Sequence, residues 1–158
     1  KEKRYNPMSY HNGSVWPHDN AMAALGIARA CDHAGVLKVL EGLFDASEQL
    51  NTSSLPELFC GFRREIGLGP TPYPVACYPQ AWSAASVYMM LQAMLGMRVL
   101  GFEQRVIFDT HLLPTWLDWL SIDKLRVGGG SVSFVLRRSH NGAAIEVKEK
   151  SGGVRVEI

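Results

Sequence analysis

Tyr10-His11-Asn12-Gly13-Ser14-Val15-Trp16-Pro17-His18-Asp19-Asn20 is the stretch from which the rest of the chain is read. Asn12-Gly13 is a turn signal, with Gly13 free to take a positive φ at no steric cost. Pro17 has a fixed φ that suits the first turn of a helix. Asp19 falls beside the exposed N–H groups at that helix start, where negative charge is favoured. His11, Asn12, Trp16, His18 and Asp19 therefore crowd around one loop-to-helix junction. A Trp ring can stack on a sugar face while polar neighbours fix its hydroxyls. The alternative is a capped helix end with Trp16 as a core anchor.

Outward from this junction, the residues from Pro17 to His33 are mostly Ala, Leu, Ile and Met. Arg29, Asp32 and His33 stand three and four apart and form one narrow polar stripe, so the helix is expected to be largely buried. Gly35 is expected to end it from the C′ position. A second helix follows from Val36 to Asn51. Leu37, Leu40, Leu43, Phe44 and Leu50 form its apolar face, and Lys38, Glu41, Asp45, Glu48 and Gln49 its wet one. So short a connection makes the two an antiparallel hairpin. Thr52 to Tyr78 holds Pro56, Pro70, Pro72 and Pro74 and is too broken for a helix. It is also too apolar for a linker, with Leu55, Leu58, Phe59, Phe62, Ile66 and Tyr73, and reads as an ordered functional loop. A third helix runs from Pro79 to Leu95 and stops at Gly96. Trp82, Val87, Met89, Met90, Leu91, Met94 and Leu95 leave it hardly any wet face, so it is expected to be central in its domain.

Beyond Met97 the period changes to two. Val106 and Phe108, Leu125 and Val127, Val132, Phe134 and Leu136, Ile145 and Val147, and Val154, Val156 and Ile158 alternate with polar residues. Gly128-Gly129-Gly130, His140-Asn141-Gly142 and Ser151-Gly152-Gly153 separate them as turns. This pattern is an antiparallel meander or small sandwich. Trp116 and Trp119, in Pro114-Thr115-Trp116-Leu117-Asp118-Trp119-Leu120, either pin this small sheet to the helices or stack sugars.

The whole chain has 158 residues, a net charge of +1 and 20% charged residues. Nothing in that balance calls for nucleic acid or an anionic membrane. No run of about 18 apolar residues suggests a spanning helix. The three cysteines, Cys31, Cys60 and Cys77, have no paired spacing, which favours free thiols and a reducing, cytoplasmic setting. Asn12-Gly13-Ser14 and Asn51-Thr52-Ser53 match the glycosylation pattern by chance on this reading. The apolar helices need more helical surface than is present. Either upstream helices of the same polypeptide or self-association would cover them.

The candidate chemistry centres on Leu55-Pro56-Glu57-Leu58-Phe59-Cys60-Gly61. Glu57 is a carboxylate among apolar residues, a setting expected to raise its pKa and suit it to proton transfer. Glycosidases need two such groups, and inverting ones hold them about 6.5–9.5 Å apart to admit a water. His11, His18 and Asp19 lack the spacing of a metal site. Cys60 and Cys77 have no neighbour that would activate a thiol, and no glycine-rich phosphate loop is present. Neither a metal nor a cofactor is expected.

Three segments then agree. Residues Tyr10 to Pro17, Pro56 to Gly61 and Cys77-Tyr78-Pro79-Gln80-Ala81-Trp82-Ser83-Ala84-Ala85 resemble the C-terminal part of the amylo-α-1,6-glucosidase (glycogen debranching enzyme) family, over roughly residues 5–96. The β-rich tail resembles the C-terminal extension of bacterial relatives more weakly. The resemblance implies a mainly α fold with a β tail. Residues 1–100 would be the last portion of an (α/α)6 toroid, and residues 101–158 a small antiparallel extension. It implies an inverting α-glucosidase acting on α-1,6-linked or related glucans. Glu57 would be the general base, and His11, Asn12, Trp16, His18 and Asp19 would line the glucose subsite. Gln80 and Trp82 would support it. The general acid would lie upstream, leaving this chain inactive alone. The competing expectation is a non-catalytic carbohydrate-binding or helical assembly domain.

Overall fold

The computed structural model describes residues 3–50, 54–110, 112–140 and 142–158. Its order is α1 (Pro17–Arg29), α2 (His33–Gln49), α3 (Ala81–Leu95), β1 (Met97–Leu100), a single 3-10 turn (Gly101–Glu103), β2 (Arg105–Phe108), β3 (Trp119–Val127), β4 (Gly130–Ser139), β5 (Gly142–Ser151) and β6 (Arg155–Glu157). The chain is about 32% helix and 28% strand, a small α+β arrangement and not a portion of an (α/α)6 toroid. Neither that expectation nor the mainly α assignment stands. A toroid is a ring of helical hairpins, whereas here the described residues form one helical hairpin, one further helix and two sheets. The toroid follows from the family resemblance alone; the apolar content of the helices asks for cover without specifying a ring of hairpins.

The chain divides into two units, Lys1–Met90 and Leu91–Ile158. In the first, α1 starts where Pro17 predicts it, but it stops at Arg29, well short of His33. Cys31 then takes a left-handed conformation, φ 60°, and Asp32 caps α2 by accepting the Gly35 N–H at 2.9 Å. Gly35 thus lies inside α2 and ends nothing. The expected end of α2 at Asn51, and the Asn51-Thr52-Ser53 triplet, lie outside the described residues. Ala21 and Ala24 of α1 and Val36, Leu43 and Ala46 of α2 form the buried side of the hairpin.

The Pro-rich segment is ordered by backbone pairing. Val15 and Phe59 exchange N–H···O bonds of 2.8 and 3.0 Å, and Phe59 in turn bridges Pro72. Gly61 donates to the Pro7 carbonyl at 2.8 Å. Glycine is required by proximity at two places here. A Cβ on Gly13 would run into the Asn6 carbonyl, and one on Gly61 into the Gly13 carbonyl oxygen. Residues 10–13 form a turn as expected, but Gly13 is not among the positive-φ glycines, so close approach, not a left-handed φ, explains the glycine.

Helix α3 ends as read, with Gly96 at φ 55°. It is less covered than expected. Trp82, Val87 and Tyr88 are exposed, and its buried side begins with Ser83 and Ser86. Those hydroxyls are satisfied by the carbonyls of Pro56 and Ser83, each at 2.6 Å. Among the described residues, no helix is long and apolar enough to cross a membrane.

In the second unit the strands form two three-stranded sheets, β1-β2-β6 and β3-β4-β5. The second is an antiparallel meander, as the alternation predicts. The first departs from it, because β6 runs parallel to β2 with Arg105, Val106 and Ile107 opposite Arg155, Val156 and Glu157. Phe134 and Phe108 meet edge to face at 5.2 Å within a core that includes Val106, Val127, Val132, Leu136 and Val154. The guanidinium of Arg138 takes up the carbonyls of Pro114 and Leu117, fixing the turn that leads into β3.

Candidate functional site

Glu57 sits where three remote segments of the first unit converge. Its backbone N–H donates to the Cys77 carbonyl at 3.2 Å. Its side chain, with the residue 7% exposed, accepts the Tyr10 hydroxyl on Oε1 at 2.6 Å and the Cys77 N–H on Oε2 at 2.8 Å. Leu58, next in the chain, is fully buried. The expected upward shift in its pKa is overturned. The Cys77 N–H first, then the Tyr10 O–H, hold the carboxyl below its ordinary value against the opposing effect of burial, and His18 adds a weaker pull in the same direction. Donors aimed at the charged form outweigh an apolar neighbourhood. The other side of this exchange is Tyr10, whose phenol is pushed up to about 12, chiefly by its hydrogen bond to Glu57. The Cys77 thiol is raised by the same carboxylate.

A row of rings flanks this carboxylate. Tyr10 meets Tyr73 at 5.7 Å, Trp16 at 4.7 Å and His11 at 4.7 Å, in each case edge to face. His11 lies parallel to Trp16 at 5.8 Å. His18 stands between Trp16, at 5.5 Å, and Trp82, at 5.0 Å. Trp16 is locked in place by its indole N–H, which donates to the Tyr10 carbonyl at 2.9 Å. Asn20 returns a side-chain N–H to the Trp16 carbonyl at 2.8 Å, holding the first turn of α1.

Of the residues picked from sequence, the structure brings Glu57, His11, Trp16, His18 and Trp82 into this one neighbourhood, linked through Tyr10. Asp19 is exposed and touches the group through His18 Nε2, 3.4 Å from its Oδ1. Asn12 is exposed on the loop, with its carbonyl accepting the Asn6 N–H at 3.1 Å. Gln80 is occupied locally, its Oε1 accepting the Ser83 N–H at 2.8 Å at the start of α3. Sequence reasoning did not single out Tyr10 or Cys77 as partners of Glu57. Tyr10 lies 47 residues from Glu57, and its position directly before His11 in an aromatic-rich segment was the available signal. Trp116 and Trp119, in the second unit, are exposed.

The arrangement at Glu57 restricts its chemistry to one direction. A carboxylate held ionised by two donors can accept a proton but cannot serve as the protonated acid. A cleft of about 420 Å³ lies between α2 and residues 59–71, lined by Asp45, Phe59, Cys60, Phe62 and Arg64 but not by Glu57. Among the described residues no three His, Cys, Asp or Glu side chains gather as metal ligands.

Neither a protein-family model nor a curated protein matches this chain.

Proposed function

We propose that this chain carries the base-bearing part of an inverting glycoside hydrolase similar to amylo-α-1,6-glucosidase, acting on α-1,6-linked or related glucans. The observation that supports this best is the pairing of an ionised, nearly buried carboxylate with a wall of aromatic rings, on the segments whose sequence resembles that family. In this reading Glu57 removes a proton from a water molecule. The water oxygen forms the new bond to the anomeric carbon as the bond to the leaving oxygen breaks. An acid outside this chain protonates the leaving oxygen. Trp16, His11, His18 and Trp82 hold the terminal sugar through ring faces and hydroxyl contacts, with Asn12 and Asp19 at the rim. Gln80 acts through the start of α3. The downward shift at Glu57 favours the base role over the acid role.

The test is Glu57→Gln in the complete gene product, with a branched glucan and proton NMR of the first sugar released. Turnover falls about 10²- to 10⁴-fold, the usual share of a general base, and the wild type releases β-glucose first. Release of α-glucose, or near-normal turnover by the variant, would remove Glu57 from the role.

The exposure of both Trp116 and Trp119 favours a second reading, a carbohydrate-binding module without catalysis. It requires oligosaccharide binding that survives Glu57→Gln and disappears when both of those tryptophans are replaced by Ala.

A further inference from the structure

His18 has one ring nitrogen that nothing accounts for. Its Nδ1 is buried and has no hydrogen-bond partner among the described residues, although the side chain as a whole is 15% exposed. Buried polar atoms are nearly always satisfied, and a native exception calls for a water or a ligand. The ring's other nitrogen, Nε2, faces Asp19 Oδ1 at 3.4 Å. A carboxylate there favours the tautomer with its proton on Nε2, which leaves Nδ1 as an acceptor. An acceptor wants an O–H or N–H donor. The neighbours are the faces and edges of Trp16 and Trp82, surfaces suited to the C–H face of a sugar. Trp82 is 63% exposed, and its indole makes no hydrogen bond among the described residues, so ring packing alone holds it against His18.

We infer that His18 is a specificity-determining residue: its orphaned Nδ1 accepts a hydrogen bond from one hydroxyl of a sugar seated against the ring group of Trp16, His18 and Trp82. The inference rests on the glycosidase reading for the sugar itself, and it adds which atom of the protein discriminates. A site built to pair with a particular hydroxyl rejects the analogue that lacks it far more strongly than an apolar contact does. Trp16 and Trp82 supply affinity for any pyranose of similar shape, and Nδ1 supplies the choice among them.

The experiment measures binding of methyl α-glucoside and each of its monodeoxy analogues to the full chain, by calorimetry and tryptophan fluorescence. One analogue is expected to bind wild type roughly tenfold more weakly than the parent, the cost of leaving a buried acceptor unpaired. His18→Phe, which keeps a ring between the two indoles, should bind the parent as weakly as wild type binds that analogue and should no longer distinguish the two. His18→Asn places an amide oxygen near the Nδ1 position and should restore the discrimination. His18→Gln, whose amide reaches the Nε2 position, should not. Circular dichroism of each variant separates these effects from loss of fold. Discrimination among the analogues that is the same in wild type and His18→Phe overturns the inference and leaves the glycosidase reading standing, with a water as the partner of Nδ1. No binding of any of these sugars by wild type removes the reading and the inference together.

Discussion

Replacing Glu57 by Leu and by Gln tests whether its carboxylate is held in place by its two donors or merely tolerated. Glu57 accepts from Tyr10 at 2.6 Å and Cys77 at 2.8 Å, and bonds to a charged group are each worth about 1.5–3 kcal/mol. Together they give about 3–6 kcal/mol of net stabilisation, desolvation included. Leu forfeits all of it and recovers about 1.5–3 kcal/mol from its own burial, so a net loss of about 2 kcal/mol is expected. Gln keeps two bonds, because the phenol can turn to accept from its amide, and should lose about 1 kcal/mol as charge-assisted bonds become neutral ones. With a urea m-value of about 1–3 kcal/mol/M for a small protein, each step moves the midpoint by about half a molar. Helical circular dichroism in urea reads both. A pH series adds a second check. The folded-state pKa of Glu57 is lowered, so its contribution is complete above the unfolded value and is lost as pH falls through the folded one. The gap between wild type and Glu57→Gln should therefore close in acid. A Leu variant as stable as wild type at neutral pH would refute the reasoning, since the donors would then return less than the charge costs.

Tyr10→Phe removes the shorter of the two bonds and leaves the ring in the aromatic row. The acid limb of the turnover profile should move to higher pH, because the charged carboxylate has lost a donor; an unmoved limb would mean that Cys77 alone sets the titration. The Tyr10 phenol, raised to about 12, contributes stability fully below the unfolded value near 10 and loses it as pH rises through about 12, which phenolate absorbance follows directly. In the second unit, Phe134→Ala removes a fully buried ring and should cost about 3–5 kcal/mol in a thermal or urea melt. A loss under about 1 kcal/mol would mean that the core around Phe108 collapses into the space.

Local signals in the sequence were reliable where one residue decides the backbone. Pro17 opens α1, Gly96 closes α3, and the glycines at 128–130 and 152–153 mark turns beside β4 and β5. The misreadings share a cause, which is contact between distant residues or competition among near ones. Cys31 adopts a left-handed conformation that is uncommon for a non-glycine residue, so Gly35 looked like the better helix end. Apolar neighbours made Glu57 look like a raised carboxyl, but the Cys77 and Tyr10 donors that decide its charge come from 20 and 47 residues away. The exposed ring faces on α3 look the same in sequence as a buried helix, and the toroid itself rested on the family resemblance, which local residue patterns do not test. The gathering of His11, Trp16 and His18 at one junction was legible because they are close in the chain. The approach of Trp82 to that group is encoded by no local pattern and is expected only through the family resemblance.

The parallel pairing of β2 with β6 has a consequence for the order of assembly. Residues 105–107 meet residues 155–157 only across about fifty intervening residues, which include the whole β3-β4-β5 meander. The meander can zip through its own short turns, whereas β6 must wait for a long loop to close. Until it arrives, one side of β2 presents unpaired N–H and C=O groups, the kind of edge on which strange strands nucleate. The ion pair joining Arg105 to Glu157 at 2.5 Å spans this same joint, placing opposite charges where the last strand has to find its register. This small strand is the buckle of the second unit, and a newly made chain is at its stickiest just before it fastens.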